Sequence, residues 1–138
     1  MSADARFERP YGAYPRLGFT VAIRDSGDAM ARLEVRFEEI ADSLHLLRQA
    51  IDALRRADNR LCEPLPGRDG AAFGWTEAPQ GELVYWVEVA GAEVQRVRIA
   101  SPSYRNWPLF ADSFRGDVLT DVAFIEHSFG LTPAGTDR

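Results

Sequence analysis

Two histidines, one cysteine and no lysine limit the chemistry open to this chain of 138 residues, since all 16 of its basic side chains are Arg. A Walker-type phosphate loop needs its lysine, and Schiff-base or pyridoxal phosphate chemistry needs an amine nucleophile, so both classes are excluded. Cys62 stands alone; it cannot form an internal disulfide or, within one chain, a thiolate metal cluster. His45 lies in a helical stretch beside its apolar seam and reads as a surface or partly buried helix residue. His127 is flanked by Glu126 and Ser128, but neighbours on a helix point in different directions, and no G-x-S-x-G is present. Glu38 and Glu39 read as a solvated helix face. Arg96 and Arg98 alternate along a predicted strand. From one face they could grip a carboxylate or phosphate, or pair with acids of a neighbouring element.

The stretch that organises these residues is Pro79 to Tyr104. Two runs rich in β-branched and aromatic residues, Glu82–Val89 and Val94–Ser101, flank Ala90, Gly91, Ala92 and Glu93, which predicts a β-hairpin. A symmetric turn sets Leu83, Tyr85, Val87 and Val89 opposite Val94, Arg96, Arg98 and Ala100, with Val84 and Trp86 on the other face opposite Ile99 and Val97. Both faces are apolar enough to need cover, and the preceding helix is expected to give it. That helix, Ala29 to Ala57, is signalled by Met30, Leu33, Phe37, Ile40, Leu44, Leu47, Ile51 and Leu54, spaced in alternating steps of three and four. This is a heptad seam, widened by Leu46 and Ala50, with Ser26 or Asp28 as candidate cap. Burial of the seam alone does not offset the entropy of ordering so long a helix, so the sheet, the C-terminal segment and a partner must contribute.

Elsewhere, residues 1–20 read as an ordered, irregular lead-in, with a short strand at Phe19–Arg24. Residues 58–80, with Gly67, Gly70 and Gly74, read as a surface loop that matches no phosphate-binding fingerprint. Ser103 is expected to cap a helix over Trp107–Arg115, and a second short helix covers Asp117–Ser128. The fold class is thus α+β, in one domain over 1–138: a long N-terminal amphipathic helix, a small antiparallel hairpin or sheet, and short C-terminal helices. A net charge of -5 without a basic stripe argues against nucleic acid. No apolar run is long enough to span a membrane, and the charged start lacks a signal-peptide core, which makes a cytoplasmic location the expectation.

A family resemblance adds to this reading. Arg98, Pro102, Ser103, Tyr104, Asn106 and Trp107, then Arg115, Gly116, Leu119, Asp121 and Val122, and finally Asp137 and Arg138, are similar to the C-terminal part of the complex I 49 kDa (D) subunit family, which includes the large subunits of energy-converting nickel–iron hydrogenases. Asp4, Arg6, Pro10, Tyr11 and Tyr14 resemble its D-x-R…P-Y-x-x-Y. Gly27, Asp28, Ala31, Arg32, Arg36, Glu38, Glu39 and Ser43 follow its long helix. Pro79, Gln80, Gly81 and Glu82 resemble its P-R-G-E, with Gln in place of Arg.

The resemblance implies NADH:quinone oxidoreductase or hydrogenase chemistry, with quinone, NAD or nickel–iron as the associated cofactors. It makes Gln80, Gly81, Glu82, Arg98, Pro102, Ser103, Asp121 and Arg138 the candidates for quinone or subunit contact. It also implies a C-x-x-C near the C-terminus, where this chain has Thr132 and Gly135, and an N-terminal half with no counterpart here. The expectation is a subunit or fragment with no metal site or catalytic residue of its own, inactive alone, peripheral to the membrane through partners. The alternative is a non-enzymatic scaffold, assembly or regulatory module. Either way, the seam from Met30 to Leu54 is expected to bind a second copy or another subunit.

Overall fold

The computed structural model describes residues 4–55 and 68–136. It is an α+β fold: a long helix, a three-stranded antiparallel sheet and short C-terminal helices. The first helix, α1, is a single turn, Ala5–Glu8, capped by the Asp4 carboxylate on the Arg6 amide. Residues 19–24, expected as a strand, are not one. Phe19 stacks edge-on to Tyr14 and beneath the Arg6 guanidinium, and Arg24 is taken by Glu34 and Glu38 of the long helix. These side-chain partners tie the segment to helices instead of a sheet edge.

The long helix α2, Ala29–Leu54, starts on Asp28, whose carboxylate accepts from the Ala31 amide at 2.7 Å; it is Asp28, not Ser26, that caps. Its orientation is the surprise. Met30, Leu33, Phe37, Ile40, Leu44, Leu47, Ile51 and Leu54 all face outward, with Phe37 64% and Leu44 52% exposed. The inward face carries Ala31 and Leu46, both buried, and half-buried Arg32, Val35, Arg36, Glu39, Gln49 and Ala50. Leu46 and Ala50 therefore do not widen the seam; they belong to a second, smaller and more polar face, which packs chiefly on the last helix. Arg56 and Ala57, the expected end of the helix, lie outside the described residues, as does Cys62.

The sheet runs β1 (Gly70–Ala78), β2 (Gly81–Ala90), β3 (Glu93–Ala100), in that order. β1 corrects the loop expected over 58–80. Its sequence, with two Gly and four Ala or Thr, carries a weak strand signal, yet nine residues pair continuously with β2. An exposed edge strand needs ladder hydrogen bonds more than apolar alternation, and Phe73 and Trp75 oppose Trp86 and Val84 across it. The β2–β3 turn is Gly91-Ala92, both at φ 63°, the geometry of a two-residue I′ hairpin.

The symmetric register does not hold. Val94 pairs with Val89 but Arg96 with Glu88, so Gln95 is an extra residue, a β-bulge that moves every later β3 side chain to the other face. Arg98 thus lies opposite Trp86, and Val97 and Ile99 opposite Val87 and Tyr85. The base of the sheet is covered by α1 on β1 and by the next helix on β2, not by α2. That helix, α3 (Pro102–Asp112), begins five residues before the expected start and is capped by Ser101 instead of Ser103, with Pro102 in its first turn. After a 3-10 turn at Leu119–Asp121, α4 is confined to Val122–Phe129 and ends at Gly130 in the left-handed region.

Candidate functional site

Three backbone segments converge where the resemblance placed most of its candidates: the β1–β2 turn, the N-terminus of α3, and the segment after α4. Gly81 sits at φ 129°, a conformation suited to glycine, with its Cβ position 3.7 Å from Pro102 Cβ. Asn106 of α3 donates to the Gln80 carbonyl at 2.8 Å, which holds the turn against the helix. Ser101 and Ser103 are buried. Ser101 Oγ accepts from the Tyr104 amide and donates to the Gly135 carbonyl, and the Thr132 amide donates to Ser103 Oγ at 3.2 Å.

Gln80, Gly81, Pro102, Ser103, Thr132 and Gly135 are therefore brought together. Glu82 lies beside them, its carboxylate between the guanidinium groups of Arg9 and Arg105. Two candidates stand apart. Arg98 is on the sheet, with Arg96, Phe73, Val84 and Trp86 around an open concavity of about 840 Å³. Asp121 is exposed in its 3-10 turn, next to Thr120. Arg138 lies outside the described residues.

The side chains meeting at this junction, Gln80, Ser101, Ser103 and Thr132, offer amide and hydroxyl groups, whereas a nickel–iron group is held by soft thiolates. Gly135 is also closed in: a Cβ there would lie 3.0 Å from Ser101 Oγ, 3.2 Å from Thr132 Cγ2 and 3.3 Å from Ser103 Cβ. The residues present do not fit that group. Among the described residues no group of three or more His, Cys, Asp or Glu could hold a metal ion. His45 and His127 are exposed and outside the junction.

A second constellation went unassigned in the sequence. The Arg6 guanidinium forks onto Asp4, with Nη2 at 2.6 Å, and reaches Glu39 at 3.2 Å. Glu77 of β1 accepts from the Ala5 amide at 2.9 Å, and Tyr11 bonds both Thr76 and the Glu77 amide. Glu39 is thus not on a solvated face; Glu38 is. Burial pushes the Asp4 carboxyl up, but the hydrogen bonds and charge of Arg6 outweigh it and hold Asp4 below the usual carboxylate range. For Glu39 and Glu77 burial wins, and both are raised. Asp4 and Arg6, two residues apart, were the available signal.

Comparison with known proteins matches this geometry to a family. The family model of the respiratory-chain NADH dehydrogenase 49 kDa subunit matches residues 1–66 and 61–138. Carbon monoxide-induced hydrogenase of Rhodospirillum rubrum is 31% identical over 98% of this chain and 38% of its own length. Hydrogenase-4 component G of Escherichia coli is 32% identical over 100% of the chain and 25% of its own length. An NADH-quinone oxidoreductase subunit of Geobacillus thermodenitrificans is 32% identical, over 97% and 38%. Among solved structures, the membrane-bound sulfane sulfur reductase, an archaeal respiratory membrane complex, superposes with a TM-score of 0.87 at 28% identity, over 100% of this chain and 40% of that one. The chain spans well under half the length of these relatives, and it belongs to the 49 kDa subunit family of respiratory-chain NADH dehydrogenase.

Proposed function

We propose that this chain is a framework part of a multi-subunit redox assembly of the NADH:quinone oxidoreductase or hydrogenase type, with no redox centre of its own. The observation that carries this reading is the outward-facing seam of α2: eight large apolar side chains exposed on one helix face. A stripe of this kind marks an interaction surface.

The occupant we assign to the seam is another subunit of the assembly, in keeping with relatives named as parts of respiratory and hydrogenase enzymes. No helix among the described residues is long and apolar enough to cross a membrane, so we assign membrane contact to partners, on the cytoplasmic side. The closed-in Gly135 also favours the second reading, a purely structural or assembly module. Metal analysis and a hydrogen- or NADH-dependent dye assay on the purified chain test the shared claim. Less than one nickel per ten chains and no dye reduction are expected; one nickel per chain would overturn it. Dye reduction by the native complex, lost when this chain is removed, selects the redox-assembly reading over the assembly factor.

A further inference from the structure

β3 is an outer strand of the sheet, with β2 on one side and no strand on the other. Among the described residues it makes no backbone hydrogen bond outside the β2 ladder. The opposite edge is different. At the base of β1 the Glu77 amide donates to the Tyr11 hydroxyl at 2.8 Å and the Trp75 indole to the Arg9 carbonyl at 3.1 Å, so the lead-in covers it. On the β3 side, the concavity of about 840 Å³ is lined by five successive residues, Arg96 to Ala100. Successive residues of a strand point to opposite faces, so a hollow that touches all five follows the edge of the strand and not one face alone. Five residues span roughly 17 Å. A small-molecule site encloses most of its ligand, whereas this hollow is open, and Phe73, Arg96 and Arg98 around it are exposed. Its shape suits an extended chain.

The bulge at Gln95 sets the chemistry of this edge. It places Arg96 and Arg98 on one face of β3, beside Trp86 and Phe73, and Val94, Val97 and Ile99 on the other. Glu88 lies opposite Arg96 in the register, yet neither arginine makes an ion pair with a described carboxylate, and no carboxylate lines the hollow. A strand added along the edge would set two of its residues, two apart, across from Arg96 and Arg98, and the residues between and beside them across from Val97 and Ile99. Opposite charges directly across a ladder attract and like charges repel. A second copy of β3, paired antiparallel about Val97, would bring Arg96 against Arg98; the two side chains thus resist self-pairing and select an acidic strand. We propose that the outer edge of β3 is a docking site for an extended segment of a partner protein in which carboxylates alternate with β-branched residues, held by strand addition. This surface is separate from the α2 seam, and the proposal does not depend on the redox-assembly reading.

The test is an NMR titration of the full chain with a capped peptide, Thr-Val-Glu-Val-Glu-Val-Thr, and in parallel with the same peptide carrying Lys for Glu. Saturable shifts of the β3 amides at millimolar peptide, with slowed hydrogen exchange between Val94 and Ala100, are expected for the Glu peptide and not for the Lys peptide. Arg98→Glu, at an exposed position, should leave the fold intact and weaken the Glu peptide about tenfold. If Arg98→Glu does not fold, Arg98→Gln is read instead, with a loss of about threefold expected. The proposal is overturned by absent or linear shifts with the Glu peptide, by an equal response to the Lys peptide, or by an undiminished response in whichever variant is read. Shifts without slowed exchange in β3 would mean a site for small anions, and slowed exchange that rises with chain concentration before any peptide is added would assign the edge to a second copy; either result overturns it as well.

Discussion

Replacing Arg6 by Met tests whether the N-terminal cluster fastens the lead-in to the fold. The Arg6 and Asp4 side chains are only 10% and 7% exposed, and Arg6 contributes three contacts to Asp4, at 3.1, 3.2 and 2.6 Å, plus one to Glu39 at 3.2 Å. Removing one partner of a buried pair costs about 3–5 kcal/mol because the other charge is stranded. Glu39 is half-buried and regains water, which places the expectation near the lower end, about 3 kcal/mol, or roughly 10 °C in Tm for a chain of this size. The pH dependence follows from the shifts. Asp4 is lowered, so its contribution is present above the ordinary carboxylate pKa and is lost as pH falls through its folded value. Glu39 and Glu77 are raised, so they favour the folded state at low pH, and that contribution is lost as pH rises through their folded values. The gap between wild type and Arg6→Met should therefore be full near neutrality and shrink on acidification as Asp4 protonates. Urea denaturation at several pH values measures this. A cost below about 1 kcal/mol, or a gap that widens in acid, would refute the reasoning.

Three further outcomes follow from the geometry. Phe37→Asp and Leu44→Asp, both on the outward seam, should leave the chain's own midpoint within about 0.5 kcal/mol while abolishing capture of the partner subunit, read by denaturation and by co-purification from the native cell together. Gly135→Cys should cost about 1–3 kcal/mol by overpacking against Ser101 and Ser103, whereas Thr132→Cys, at an exposed position, should be nearly neutral in a thermal melt. Ala92→Gly removes a non-glycine residue from φ 63° and should raise stability by up to about 1 kcal/mol.

The elements with strong periodicity were legible from the sequence. The α2 seam repeats every 3.5 residues, and the hairpin shows as two β-branched and aromatic runs around a Gly-containing turn, so their positions follow directly. Which way α2 faces was not legible, because a heptad seam specifies a surface to be covered without saying whether this chain covers it. β1 was missed because edge pairing is a property of the partner strand: Gly70–Ala78 is held by the β2 ladder, and the contacts of Thr76 and Glu77 are to residues distant in sequence. The register error has a single cause, the extra Gln95, and a bulge leaves no trace in hydrophobic alternation. At the junction, the family motifs led to Gln80, Gly81, Pro102, Ser103 and Asn106, but the hydrogen bonds by which Ser101 and Asn106 hold it together are revealed only by the fold.

The most direct measurement of the central claim is site-specific photo-cross-linking from position 44, on the outward face of α2, with the full chain expressed in its native cell. A cross-link to a different subunit of a redox complex, lost when Phe37 is also replaced by Asp, is the predicted result. A cross-link only to a second copy of the chain, or none at all, would contradict it.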